Sequence, residues 1–448
     1  MNSVTIRAAI HQLPGGGTQT VISLEDPPIG NGQSCTFISS TADDLVTGLL
    51  NDGQDVILQI GTKVYADLSL SHPDVAAALQ NAAAAVNGYC PLLVELPSVG
   101  GEPEKIPWET VCGPNGTFLA LDSRWSVARV VRASSPSKGD RVFHPPLRLV
   151  LLLSCFGIPA ADEWNRFAAT LDASTVETKV LVFAGEPGLE QKIADEHRPN
   201  VEVRGLPGNA GFDELRQKIR EFRPDILHFY CHGLSPDADT PHLELATPTD
   251  WLAGRLFSPL LLEAEQISML GDAASPPWLV VLNCCEAAAT RGNLQSLARD
   301  LVARGGYPAV VGMREPIVPE DAICFSGQFY KELLTALVGL PPQTTAVIDW
   351  PRLLVEPRRQ LIDVNRHNET FRSAANNLHQ WTVPVLYVQS EVFKLIVPGP
   401  APAAPLQNIG WDLTVLRYLL ANPGFEAPPS FLNELDEAIK ILEPGGDN

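Results

Sequence analysis

The residues best placed to do chemistry in this sequence are one histidine and one cysteine. HFYCHG (His228 to Gly233) and VVLNCCEAA (Val280 to Ala288) each open as a buried apolar strand. The first closes on His232 and the second on Cys285. A thiol beside an imidazole loses its proton readily, and the thiolate is the nucleophile. His232 then acts as the general base and returns the proton to a leaving amine. Gly233 has no side chain, so its N–H can approach a substrate carbonyl; with the amide of Cys285 it forms an oxyanion hole. The chemistry of that set is acyl transfer from a peptide bond.

The neighbouring candidates sort against this pair. His228 lies four residues before His232 and points to the same side of a strand, but deeper in the apolar run, as a structural, hydrogen-bonded histidine does. Cys284 faces away from Cys285, toward the core. His242, in DTPHLEL, has no supporting pattern. A serine hydrolase would need a G-x-S-x-G elbow, which is absent, and the glycine runs at 15–17, 100–101 and 305–306 lack a phosphate-loop lysine. Cys231 and the Cys284–Cys285 pair lack C-x-x-C spacing, so neither a metal nor a cofactor is expected. Glu286, Glu315, Glu320 and Asp321 would suit a basic residue before the scissile bond if they line the pocket, with no single one assigned.

Reactive groups of an open parallel α/β sheet gather at the carboxyl ends of its strands. Residues 141–397 alternate strand and helix, from LRLVLLLSC and ADEWNRFAATLD through KVLVFAG, LEQKIADEH, VEVRGL and GFDELRQKIREF to DILHFYCHG. WLVVLNCCEA, NLQSLARDLVAR (with Leu294, Leu297 and Leu301 inward), PAVVGM, the long helix DAICFSGQFYKELLTALVGL and VPVLYV complete the series. Strands apolar on both faces and separated by helices predict a mostly parallel sheet between helices. Leu234 to Pro277 reads as an irregular excursion between the two site strands. Residues 1–140 read as a β-rich region in which VTIRAAI, TVISLED, CTFISS and VILQIGTKVYADL are strands. PDVAAALQNAAAAV (Asp74 to Val86) is its one helix, and a strand pair turns at Gly113–Gly116. PGPAPAAP (398–405) is an extended linker, and two amphipathic helices follow within 398–448, the second capped by Ser430.

A chain of 448 residues with 45% hydrophobic and 19% charged residues has the composition of a folded globular protein of two or three units. The longest apolar run, near Leu147 to Leu153, is too short for a membrane span, and the first residues lack the apolar stretch of a signal peptide. Eight scattered cysteines form no disulfide framework, which points to a reducing cytoplasm. The net charge of −20 disfavours nucleic acid and anionic membrane as partners.

LHFYCHG and VVLNCCEAA resemble the two signature blocks of CHAT-type peptidases, the caspase-like branch of cysteine proteases. IPWETV…GTFLALDSRWSVARVV, SLARDLVARGGYPAVVGMREPIVPEDAICFSGQFYKEL and HQWTVPVLYV are similar to its flanking segments, so the resemblance runs from about 90 to 395. Two departures stand out: Asn283 and Cys284 precede the cysteine where small residues are usual, and Met313 and Arg314 stand where an aromatic residue is common. The resemblance implies a caspase-like three-layer α/β fold with His232 as general base and Cys285 as nucleophile. It also implies a cytoplasmic endopeptidase that cleaves a protein substrate and is gated by a regulatory protein partner in a prokaryotic defence or cell-death pathway. The alternative is a proteolytically silent scaffold of the same fold that binds a partner protein.

Overall fold

The computed structural model describes residues 4–12, 18–26, 36–37, 45, 48–49, 53–70, 77, 79–80, 89–97, 101–133, 140–208, 211–233, 240–271, 276–284, 296–338, 340–341 and 343–398. The chain divides into two compact units, Met1–Val397 and Pro398–Asn448. The linker and two-helix tail expected in the second unit, Ser430 included, lie outside the described residues, as does most of the helix expected over Asp74 to Val86.

The first unit opens with β1 (Val4–Gln12), β2 (Thr18–Asp26), β3 (Thr36–Phe37), helix α1 (Val56–Leu70), β4 (Leu92–Glu95), the short α2 (Glu102–Lys105) and β5 (Val127–Val131). It continues through β6 (Asp140–Val142), β7 (Leu147–Ser154), α3 (Ala161–Asp172), β8 (Thr178–Ala184), α4 (Pro187–Asp195), β9 (Val201–Gly205), α5 (Phe212–Phe222) and β10 (Ile226–Cys231). Next come β11 (His242–Leu245), α6 (Pro248–Ala253), β12 (Leu260–Glu263), α7 (Ala264–Leu270), β13 (Leu279–Leu282), α8 (Leu297–Ala303), β14 (Ala309–Met313) and α9 (Pro319–Val338). β15 (Thr344–Val347), α10 (Val355–Asn365), α11 (Phe371–Asn377), β16 (Pro384–Gln389) and β17 (Lys394–Val397) complete it.

One sheet runs β3-β2-β1-β4-β5-β16-β14-β13-β10-β7-β8-β9, mostly parallel and flanked by helices, as the sequence predicts. β14, β13, β10, β7, β8 and β9 are parallel; β16 is antiparallel to β14, and β5, β4 and β1 follow the direction of β16. The carboxyl ends of β7, β10, β13 and β14 therefore share an edge with the amino ends of β16 and β5. β7, β10, β13 and β14 are buried almost throughout, which is why each reads as an unbroken apolar run.

Three expectations need correction. VILQIGTKVYADL is not a strand: it lies within α1, with Ile57, Ile60, Val64 and Leu68 buried at helical spacing. Its β-branched residues favour a strand only weakly, and burial of that stripe overrides the preference. Gly61 in its middle lets the helix lie on the Thr110 carbonyl, where a Cβ would collide. The strand pair around Gly113–Gly116 reduces to a single bridge, Cys112 to Phe118, with 3₁₀ turns at Trp108–Thr110 and Leu119–Leu121. The described part of Leu234 to Pro277 is not irregular, since β11 and β12 form an antiparallel pair there and α6 and α7 accompany them.

The segment before β5 is fastened by buried ion pairs. Glu109 meets Arg129 of β5 at 2.8 Å and Glu104 of α2 meets Arg299 of α8 at 2.7 Å, all four side chains fully buried. Burial raises the Glu109 carboxyl, but Arg129, helped by Arg314 and Arg358, outweighs it and holds Glu109 below the usual range. Among the described residues no carboxylate pairs with Arg358, and burial chiefly brings its pKa down to about 10.

Candidate active site

β10 and β13 are neighbours in parallel register, Phe229 opposite Leu282, so their carboxyl ends open side by side at the shared edge. His232 directly follows β10, and its carbonyl accepts from the Glu244 N–H at 2.9 Å, a bridge to β11. The excursion between the site strands thus clasps the histidine's backbone. Gly233 follows, half-buried. Cys285 and Glu286 lie outside the described residues; the strand's exit is described through Asn283 and Cys284, the two residues after β13.

The imidazole is oriented by backbone. His232 Nε2 lies 2.7 Å from the Phe156 carbonyl oxygen. A carbonyl only accepts, so Nε2 carries the hydrogen and Nδ1 of the neutral ring is left with its lone pair, the form a general base needs. That carbonyl is set by a turn just beyond β7: the Ile158 N–H donates to Cys155 O at 2.9 Å, and Gly157 between them has φ of +82°. Such a φ at the third position is the requirement of a type II turn, and glycine meets it without strain. The Phe156 ring packs on Trp251 of α6, with centroids 5.4 Å apart.

Two thiol contacts flank this arrangement. Cys155 Sγ is 3.6 Å from both His232 ring nitrogens. It lies against the ring and forms a wall of the site. Cys231 Sγ and Cys284 Sγ, from the two site strands, are 3.1 Å apart and buried, so Cys284 belongs to the core as expected.

His228 is fully buried, its Nε2 3.0 Å from Glu163 Oε1 of α3. The approach is close but off the hydrogen-bonding axis of the ring. Burial, and then the Glu163 charge, push the nearby Tyr330 phenol well above its usual range. Of the acidic candidates, Glu315 is paired with Arg314 at 2.8 Å and Glu320 is exposed. Asp321 is buried, accepts from Asn365 Nδ2 at 2.7 Å, and is raised by that burial. His242, in β11, has its Nδ1 3.0 Å from the Thr240 carbonyl oxygen. Among the described residues no three His, Cys, Asp or Glu side chains gather as a metal site, and no helix is long and apolar enough to cross a membrane.

The sequence pointed to the histidine but not to what holds it. Phe156 acts through its carbonyl, which has no side-chain signature, and Cys155 resembled any buried strand-end thiol. The one available signal was Gly157, a glycine two residues after an apolar strand.

No curated protein matches the chain. Among solved structures it is similar to a chain of the Saccharomyces cerevisiae separase–securin complex, at 13% identity and a TM-score of 0.34. That match covers 83% of this chain and 21% of the other, so the chain spans about a fifth of that relative's length. The CHAT domain family model matches residues 67–347, more than half the chain, beginning before and ending short of the segments that carry the resemblance in sequence. The match takes in β10, its histidine and the strand that leads to the paired cysteines, and the chain belongs to the CHAT-domain family.

Proposed function

We propose that the chain is a caspase-like cysteine endopeptidase with Cys285 as nucleophile and His232 as general base. His232 Nδ1 takes the thiol proton, the thiolate adds to the scissile carbonyl, and the Gly233 and Cys285 amides receive the oxyanion. The imidazolium then protonates the leaving amine, and water, activated by the same ring, hydrolyses the thioester. The observation that carries this reading is the His232 to Phe156 hydrogen bond of 2.7 Å at the carboxyl end of β10, beside the strand that leads to Cys285. Membership of the CHAT family favours a protein substrate and a protein partner that gates cleavage, in a cytoplasmic prokaryotic defence or cell-death pathway.

The test is cleavage profiling with a peptide library, alone and with proteins encoded alongside, together with labelling by an iodoacetamide probe. Cys285→Ala is expected to abolish both cleavage and labelling of the reactive thiol while Cys284→Ala keeps them. Full activity in Cys285→Ala would sink the reading. Labelling absent from the unaltered chain would favour the silent scaffold.

A further inference from the structure

Beneath the site edge, a carboxylate is buried among groups from four elements. Glu163 of α3 is fully buried, an arrangement that costs several kcal/mol for an isolated ion and persists only with partners. Its Oε2 accepts from Ser326 Oγ of α9 at 3.0 Å. Its Oε1 accepts from Asn283 Nδ2 at 3.2 Å and faces His228 of β10. Asn283 Nδ2 also donates to the Ala322 carbonyl at 3.1 Å, and the Asn283 backbone N–H donates to Phe229 O at 2.9 Å. A carboxylate and a carbonyl both only accept, so the side-chain amide must present its NH₂ to them, and its orientation is settled. Both amide hydrogens are spent, one on α3 and one on α9. Asn283 is thereby pinned to three elements two residues before Cys285.

We infer that Glu163 is a positioning residue for the nucleophile, acting through Asn283 to fix the direction in which the chain leaves β13. The inference rests on the peptidase reading and adds to it the group that holds the cysteine side of the site. The histidine is held by a backbone carbonyl; the exit of β13 is held by an asparagine whose anchor is this carboxylate. An apolar residue at 283 would fill the space but release the strand exit from α3. Asparagine at this position then has a reason: its reach to Glu163.

The experiment uses the full chain, with kcat and KM measured separately on the best library peptide, iodoacetamide labelling of Cys285, and thermal melting to give the folded fraction. Asn283→Ala is expected to lower kcat per folded molecule by roughly ten- to hundredfold, with KM within about twofold, because a displacement near 1 Å costs that much in a positioned reaction. Labelling, which needs the thiol but not its alignment with a peptide carbonyl, is expected to persist. Glu163→Gln keeps an acceptor oxygen for Asn283 and is expected to lose only a few-fold in kcat, and it decides the matter if Asn283→Ala fails to fold. Unchanged kcat per folded molecule in the variants, with labelling retained, overturns the inference and leaves the peptidase reading standing. Neither labelling nor cleavage in the unaltered chain overturns both.

Discussion

Two histidines four positions apart, His228 on β10 and His232 just past its end, are held in opposite ways. His228 is fully buried under the sheet edge beside a buried carboxylate, with aromatic rings around it. His232 stands past the strand's end, half-buried, with Nε2 on a backbone carbonyl. A neutral carbonyl fixes the tautomer without adding charge. His228, by contrast, is held in the core by packing against the Phe167 and Tyr330 rings and by burial beside Glu163. The same residue type thus takes the place proposed for a base at the edge and is packed into the core in the interior, and depth along the chain makes the difference.

The harshest way to break that comparison is to remove each ring. His232→Ala is expected to cut kcat/KM by about 10²–10⁴, the usual contribution of a general base, with little change in melting temperature. Peptide hydrolysis and calorimetry on one preparation check both halves. If His232→Ala keeps its activity, the edge histidine is not the base and the contrast collapses.

Buried carboxylates as structural fasteners have their strongest case in the other half of the sheet. Glu109→Gln leaves Arg129 buried and unpaired, and the expected loss is about 3–5 kcal/mol of stability near neutral pH. Since the folded pKa of Glu109 lies below its unfolded value, the charge stabilises the fold above the unfolded pKa. That stability is lost as pH falls through about 4.5 toward the folded value. Unfolding curves of the two proteins should therefore converge in acid. A gap that stays constant with pH would show that the stabilisation is packing and not charge. On the catalytic half, His228→Phe is expected to cost about 1–3 kcal/mol, since Glu163 keeps Asn283 and Ser326, while kcat per folded molecule falls less than tenfold. A loss of kcat as large as that of His232→Ala would erase the distinction between brace and base.

What the sequence made legible follows the same division. β7 and β10 were plain because both faces are buried, which leaves an unbroken apolar run, and His232 was plain because it ends one. The helical stripe of α1 was hidden by β-branched residues whose local preference lost to packing. β11 and β12, four residues each, were too short to register, yet Glu244 holds the backbone of His232. Glu163 did leave a trace: it sits on the buried face of α3 with Trp164, Phe167 and Leu171, a charge where the pattern wants an apolar residue. A charge on that face asks for a partner, but Asn283 and Ser326 lie far along the chain, and only folding brings them to it.

The gentlest test of the comparison acts on the turn and touches neither ring. A Cβ added at Gly157 would meet nothing within 4 Å, so Gly157→Ala introduces no clash. Its cost is conformational: φ of +82° disfavours an L-residue by roughly 1–2 kcal/mol. The turn relieves that strain by rotating, and the Phe156 carbonyl is the group that rotates with it. Activity is therefore expected to fall by about tenfold, the equivalent of some 1.4 kcal/mol, with only a small drop in melting temperature. Nuclear magnetic resonance of the His232 ring checks the cause. Nitrogen-15 shifts should move from the Nε2–H tautomer toward a mixture in Gly157→Ala, while those of His228 stay put. A variant with lower activity but an unaltered His232 tautomer would detach the turn from the base, and the edge histidine would need another reason for its orientation.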